Sequence, residues 1–212
     1  MKILLFVEGK TENIITQVFL KKWLDSQLDK KISVKPIVFD GCGDYLKRAG
    51  KKSQLHLDNS EVIAIFGLLD LYGLPEKCKG GNTVDEKTNF ARKKIIESLP
   101  KECRPKFHQH FAVHELEAWL LSDPKIFPNE IKLPGCCDNP ETVDFDTPPA
   151  KLLKELFRKN KKNYSYKKTI DGVNLFKKLS PDTVRDKCPN FKKFTDEILA
   201  AAKNAQKRSL PR

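Results

Sequence analysis

Three stretches of this chain that read as strands each lead into carboxylates, and the first two are apolar runs. Residues 3–7 (Ile-Leu-Leu-Phe-Val) are apolar without a break and stop at Glu8. Glu61 to Leu69 is apolar after its first residue and stops at Asp70, and residues 107–113 lead into His114-Glu115-Leu116-Glu117. Unbroken apolar runs of this length suit strands buried on both faces, the hallmark of a parallel sheet. Gly9 allows a turn after the first run and Thr11 can cap the following helix. That helix places Ile15, Val18 and Phe19 on one face and should reach about Leu28. Residues 32–39 read as a further strand, with Pro36 marking an edge position. Helices are expected from Asp44 to about Leu57, with a break at Gly50, and from Asn89 to Ser98. Strands alternating with helices imply an α/β fold: a parallel sheet with helices on both faces. Acids at the ends of parallel strands converge on one edge, the edge where open α/β sheets bind ligands.

The character of the chain changes after residue 122. Six prolines punctuate residues 122–149, which read as a connection. Beyond it come short helices at 149–157, 171–179 and 180–187 and a closing helix over 191–205. The expected organisation is therefore an α/β domain over 1–122 and a proline-rich connection with a helical C-terminal extension over 123–212. A basic run, Arg158 to Lys168, interleaves Tyr164 and Tyr166 with lysines. Lysines there can follow a nucleic-acid backbone while a tyrosine stacks on a base, so Lys161, Lys162, Lys167, Lys168 and Tyr166 are candidate nucleic-acid contacts. A solvated loop is the plainer reading of the same segment.

Charge points the same way. Forty basic residues against 28 acidic ones give a net charge of +12, which favours a polyanionic partner such as nucleic acid. No stretch approaches the roughly 20 apolar residues of a membrane span. Six cysteines at irregular spacing fit a reduced, cytoplasmic chain better than a disulfide framework. Adjacent Cys136 and Cys137 match the usual spacing of zinc ligands poorly.

Clustered carboxylates repel one another and need compensation. Magnesium or manganese supplies it, as a hard ion that takes oxygen ligands. Glu8, Asp70 and Glu117 are the candidate metal ligands, with Glu115 assisting, His114 as general base or ligand, and Lys10 placed to meet a phosphate. Each acid also has a structural reading: Glu8 paired with Lys10, Asp70 capping its loop, Glu115 and Glu117 favoured by a helix dipole. His108 and His110, two apart in a strand, read as structural or surface residues.

Val7-Glu8-Gly9-x-Thr11-Glu12, Asp70-Leu71-Tyr72-Gly73-Leu74-Pro75 and His114-Glu115-Leu116-Glu117-Ala118-Trp119-Leu120-Leu121-Ser122-Asp123, with the later Tyr166-Lys167-Lys168 and Cys188-Pro189-x-Phe191, resemble the Toprim superfamily. Within it, the chain is most similar to small bacterial Toprim-like proteins of unknown function. The resemblance implies a Toprim-like sheet, magnesium at the strand-end acids, and a nuclease that serves as effector of an anti-phage system beside an AAA- or ABC-type ATPase. One position departs from the superfamily: the second acid of its Asp-x-Asp is Tyr72 here. A non-catalytic module that binds nucleic acid or the ATPase is the alternative that this departure favours.

Overall fold

The computed structural model describes residues 1–134, 139–142, 147–160 and 164–208. Four parallel strands, β1 (Lys2–Val7), β2 (Ser33–Val38), β3 (Val62–Asp70) and β4 (Phe107–Ala112), form one sheet in the order β2-β1-β3-β4. Pro36 lies in β2, at the sheet edge, where its missing N–H breaks no inner ladder.

Alternate residues of the central strands feed two cores. Ile3, Leu5 and Val7 of β1, with Ala64, Phe66 and Leu68 of β3, face one side; Leu4, Phe6, Ile65 and Leu69 face the other. The second side is covered by α3 (Gly41–Leu57) and α4 (Val84–Ser98), whose Tyr45, Ala49, Ala91 and Ile95 are buried on it. The first side is covered by the N-terminal helices and by C-terminal ones. Helix α1 (Lys10–Ile15) passes through a π-helical turn, Thr16–Lys21, into α2 (Lys22–Ser26). The C-terminal contribution is α6 (Pro149–Asn160), α7 (Val173–Lys178), α8 (Pro181–Lys187) and α9 (Pro189–Arg208), which bury Leu153, Phe176, Val184 and Phe191 in the same core. The short α5 (Glu117–Leu120) brings Trp119 between them, its ring centroid 4.6 Å from that of Phe191. The helical C-terminal extension is thus built into the main core.

Three local expectations are corrected. Gly9, not Thr11, takes the cap position of α1, with no side-chain cap, and Thr11 is buried inside the helix. Helix α3 begins at Gly41 and runs through Gly50 without a break. A Cβ at Gly50 would stand 3.2 Å from the Pro100 ring, so glycine there serves close packing. Helix α4 starts at Val84, earlier than periodicity alone indicates, because Thr83 and Glu86 form a capping box. Among the described residues no helix is long and apolar enough to cross a membrane.

Candidate active site

The carboxyl ends of β1 and β3 deliver Glu8 and Asp70 to one edge, and the turn after β4 delivers Glu117 as the first residue of α5. His114 takes a left-handed backbone (φ 64°), uncommon for a residue with a Cβ. Its carbonyl accepts the Tyr72 N–H at 3.1 Å, and the Leu116 N–H donates to Asp70 Oδ1 at 3.2 Å. The end of β3 is thereby tied twice to the acidic turn. Glu12, on the first turn of α1, adds a fourth carboxylate.

The ammonium of Lys168 stands among these acids. Its Nζ lies 3.1 Å from Glu117 Oε2, 3.7 Å from Asp70 Oδ2 and 3.8 Å from Glu12 Oε1. Glu117 is almost wholly buried, and the hydroxyl of buried Tyr166 donates to its Oε1 at 3.4 Å. Gly172 permits that reach, since a Cβ there would sit 2.5 Å from the Tyr166 oxygen. Burial, more than repulsion, pushes the Asp70 carboxyl well above its ordinary range; Glu117, Glu12 and Glu8 add to the push and Lys168 opposes it. Burial likewise raises Glu117, with Lys168 opposing. Burial and Glu12 raise Glu8, while backbone amides of Cys42 and Asp70 favour its anion. For Lys168, burial works against the charge, but Asp70, Glu117 and Glu12 outweigh it and hold the amine above its usual range. An open cleft of about 750 Å³, lined by Glu8, Lys10, Glu12, Asp70 and Lys168, gives solvent access to the cluster.

The family model for a domain of unknown function, DUF4276, matches residues 7–199. The chain belongs to that family. No curated protein and no solved structure matches it significantly. In this DUF4276 chain the matched region spans every element of the cluster, from Glu8 through Lys168.

Among the expected site residues, Glu8, Asp70 and Glu117 come together. Lys10 is exposed at the mouth of the cleft. Glu115 takes a different place: its Oε2 accepts the Ala150 N–H at 3.0 Å, at the start of α6, where a carboxylate suits the positive end of the helix. His114 is fully buried. Two expected nucleic-acid contacts are corrected. Tyr166 is 3% exposed, its ring 5.5 Å from that of Phe157, and offers no face to a base. Lys168 is turned inward onto the acids. Lys167 is exposed, and Lys161 and Lys162 lie outside the described residues, as do Cys136 and Cys137. His108 and His110 sit away from this edge and share Glu197 of α9, at 3.4 and 3.1 Å.

Glu12 was not among the expected site residues, and Lys168 was expected to contact nucleic acid, not to stand among the acids. The alternation in Tyr164-Ser165-Tyr166-Lys167-Lys168 carried the signal: burial there alternates as in an extended segment, placing Lys168 on the face of Tyr166.

Four carboxylates supply hard oxygen ligands of the kind magnesium and manganese take. Lys168 stands in for a cation among three of them, and Glu8 keeps a buried Oε2 that no hydrogen-bond donor among the described residues satisfies. As arranged around the ammonium, no three acidic, histidine or cysteine side chains among the described residues form a ready metal cage. A divalent cation bound here would have to take the place of the amine.

Proposed function

We propose that this DUF4276 protein is a magnesium- or manganese-dependent nuclease that hydrolyses phosphodiester bonds of DNA or RNA. One observation carries the reading: carboxylates from the ends of β1 and β3, from α1 and from α5 gather around the Lys168 ammonium, Glu117 buried and the other three lining an open cleft, on a chain of net charge +12. Glu8, Asp70 and Glu117, with Glu12, would hold the ion. A bound ion of this kind activates water and stabilises charge developing on a phosphoryl group. Lys10, exposed at the mouth, meets the substrate phosphate. Lys168 serves as the resident counter-charge that keeps the acids together before the ion enters. The resemblance to Toprim proteins adds an ATPase partner and a role as effector of anti-phage defence to this reading.

The seat of Lys168 between the acids, with Tyr72 in place of a second aspartate, favours a second reading: a module that binds nucleic acid or the ATPase without cutting. Incubation of purified protein with plasmid DNA and total RNA, with and without manganese, separates the two. Cleavage that requires manganese and disappears in Glu117→Gln supports the nuclease. Binding without cleavage under every metal condition supports the module.

A further inference from the structure

Beside the acidic cleft lies a second groove, of about 800 Å³. It opens directly after Asp70, at Leu71 and Tyr72, and continues along Gly73, Gly80, Lys79 and Lys87. Tyr72 is a large aromatic residue left 51% exposed. It is not loose: its backbone N–H is held by the His114 carbonyl at 3.1 Å, so the ring is carried by the turn that also positions the acids. The acids near the groove are already engaged. Glu76 pairs with Lys79 at 2.8 Å, and Glu86 accepts the Asn82 and Thr83 amides of the α4 capping box. The lining offers an aromatic face, small residues that let a ligand approach the backbone, and Lys79, whose exposed pairing with Glu76 is a weak surface ion pair that a phosphate can displace.

We propose that this groove binds one nucleotide of a single-stranded nucleic acid, its base stacked on Tyr72 and its phosphate near Lys79. An exposed ring stacks on any base whose face is free, which a paired duplex does not offer. Tyr72 stands two residues from Asp70, roughly 7 Å along the chain, so a nucleotide held there lies beside the acidic cluster. The inference deepens the nuclease reading by naming the form of its substrate, and it rests on that reading only for what happens after binding.

The test is equilibrium binding by fluorescence anisotropy in EDTA, where cleavage does not intrude. The probes are single-stranded DNA and RNA oligonucleotides, a duplex of the same sequence, and a free mononucleotide as competitor. Tyr72→Ala should weaken single-strand binding about 5- to 150-fold, the range for losing one stacked base. Tyr72→Phe should stay within about threefold, since the phenyl face remains. Lys79→Ala should flatten the salt dependence by about one unit, for the one phosphate that is no longer neutralised. Duplex binding should not respond to Tyr72→Ala. Thermal melts of each variant verify folding, which an exposed side chain leaves intact. Equal single-strand affinity in Tyr72→Ala and wild type, or equal weakening for strand and duplex, overturns the proposal. Competition by the mononucleotide as strong as by the strand overturns the strand assignment and makes the groove a nucleotide site. Absence of manganese-dependent cleavage would sink the nuclease reading while leaving these binding results standing.

Discussion

Replacing Lys168 by Met removes the ammonium that touches the acidic cluster while keeping its length and apolar stem. At 3.1, 3.7 and 3.8 Å from three carboxylates, each pairing is worth roughly 4–5 kcal/mol at an effective dielectric of about 20, before desolvation is charged against it. The net loss is smaller, because the acids can protonate. For a carboxyl of ordinary pKa near 4, taking up a proton costs about 4 kcal/mol at pH 7 and about 1.4 kcal/mol at pH 5. The expected destabilisation is therefore about 3–5 kcal/mol at pH 7, the range for a buried ion pair broken on one side. The pH dependence follows from the direction of the shifts. Asp70 and Glu117 have raised pKa values in the folded chain, so folding favours proton uptake, and the penalty is complete above their folded pKa values. It fades as pH falls toward the ordinary carboxylate range. Removing Lys168 raises both acids further, so the deficit should be full above their folded pKa values and shrink as pH falls toward about 5. Urea unfolding of both proteins across that range measures it. Equal stability at pH 7, or a deficit that does not change with pH, would refute the account of Lys168 as the counter-charge of this cluster.

Asp70→Asn should raise the melting temperature in metal-free buffer, because burial and repulsion already disfavour the Asp70 anion, and it should shrink the stabilisation that magnesium produces, since removing a ligand weakens binding to the folded state. Differential scanning fluorimetry with and without magnesium reads both. Gly172→Ala should destabilise by about 1–3 kcal/mol, as its Cβ would meet the Tyr166 hydroxyl. In a Tyr166→Phe background the nearest remaining atom is 3.5 Å away, so the same change should become neutral or gain up to about 1 kcal/mol from helix propensity, a sign reversal that a double-mutant cycle in urea detects. Tyr45→Phe should cost about 1–3 kcal/mol, measured the same way, because Gln109 Oε1 then loses its buried donor at 2.6 Å.

How far the sequence was legible depends on how local each signal is. The strands announced themselves because β1 and β3 are buried on both faces, and period-free apolar runs of that length have few other uses. Convergence of Glu8 and Asp70 followed from parallel topology alone. Glu12 was hidden because an acid in a first helical turn is ordinarily explained by the helix dipole. Glu115 and Glu117, two residues apart, could not be told apart from sequence. Only the α6 N-terminus, brought in from residues 149–150, claims the first and leaves the second for the cluster. Lys168 was hidden by its neighbours. In a run of lysines any one can turn inward, and the choice is made by Asp171, whose carboxylate accepts the Lys167 N–H at 2.7 Å and the Tyr164 hydroxyl at 2.8 Å. That fixes the register in which Tyr166 and Lys168 share the buried face.

The same arrangement sets the electrostatic problem that any polyanion faces here. With all groups ionised, Glu8, Glu12, Asp70, Glu117 and Lys168 together carry −3, so the rest of a chain of net charge +12 carries +15. The long-range field therefore draws phosphate toward the molecule, while the local field at the cleft repels it. The two demands are reconciled by neutralising the cluster, through the proton that burial favours on Asp70 or through a divalent cation. On the nuclease reading, a strand anchored at Tyr72 reaches across Asp70 only after that neutralisation. Added magnesium should then tighten single-strand binding beyond what the Tyr72 groove contributes in EDTA, whereas in Glu117→Gln, with one ligand removed, the metal-dependent gain should shrink and the Tyr72-dependent part should remain. A metal-dependent gain of the same size in both proteins would mean that the ion acts elsewhere, and that the acids and the groove do not share a substrate.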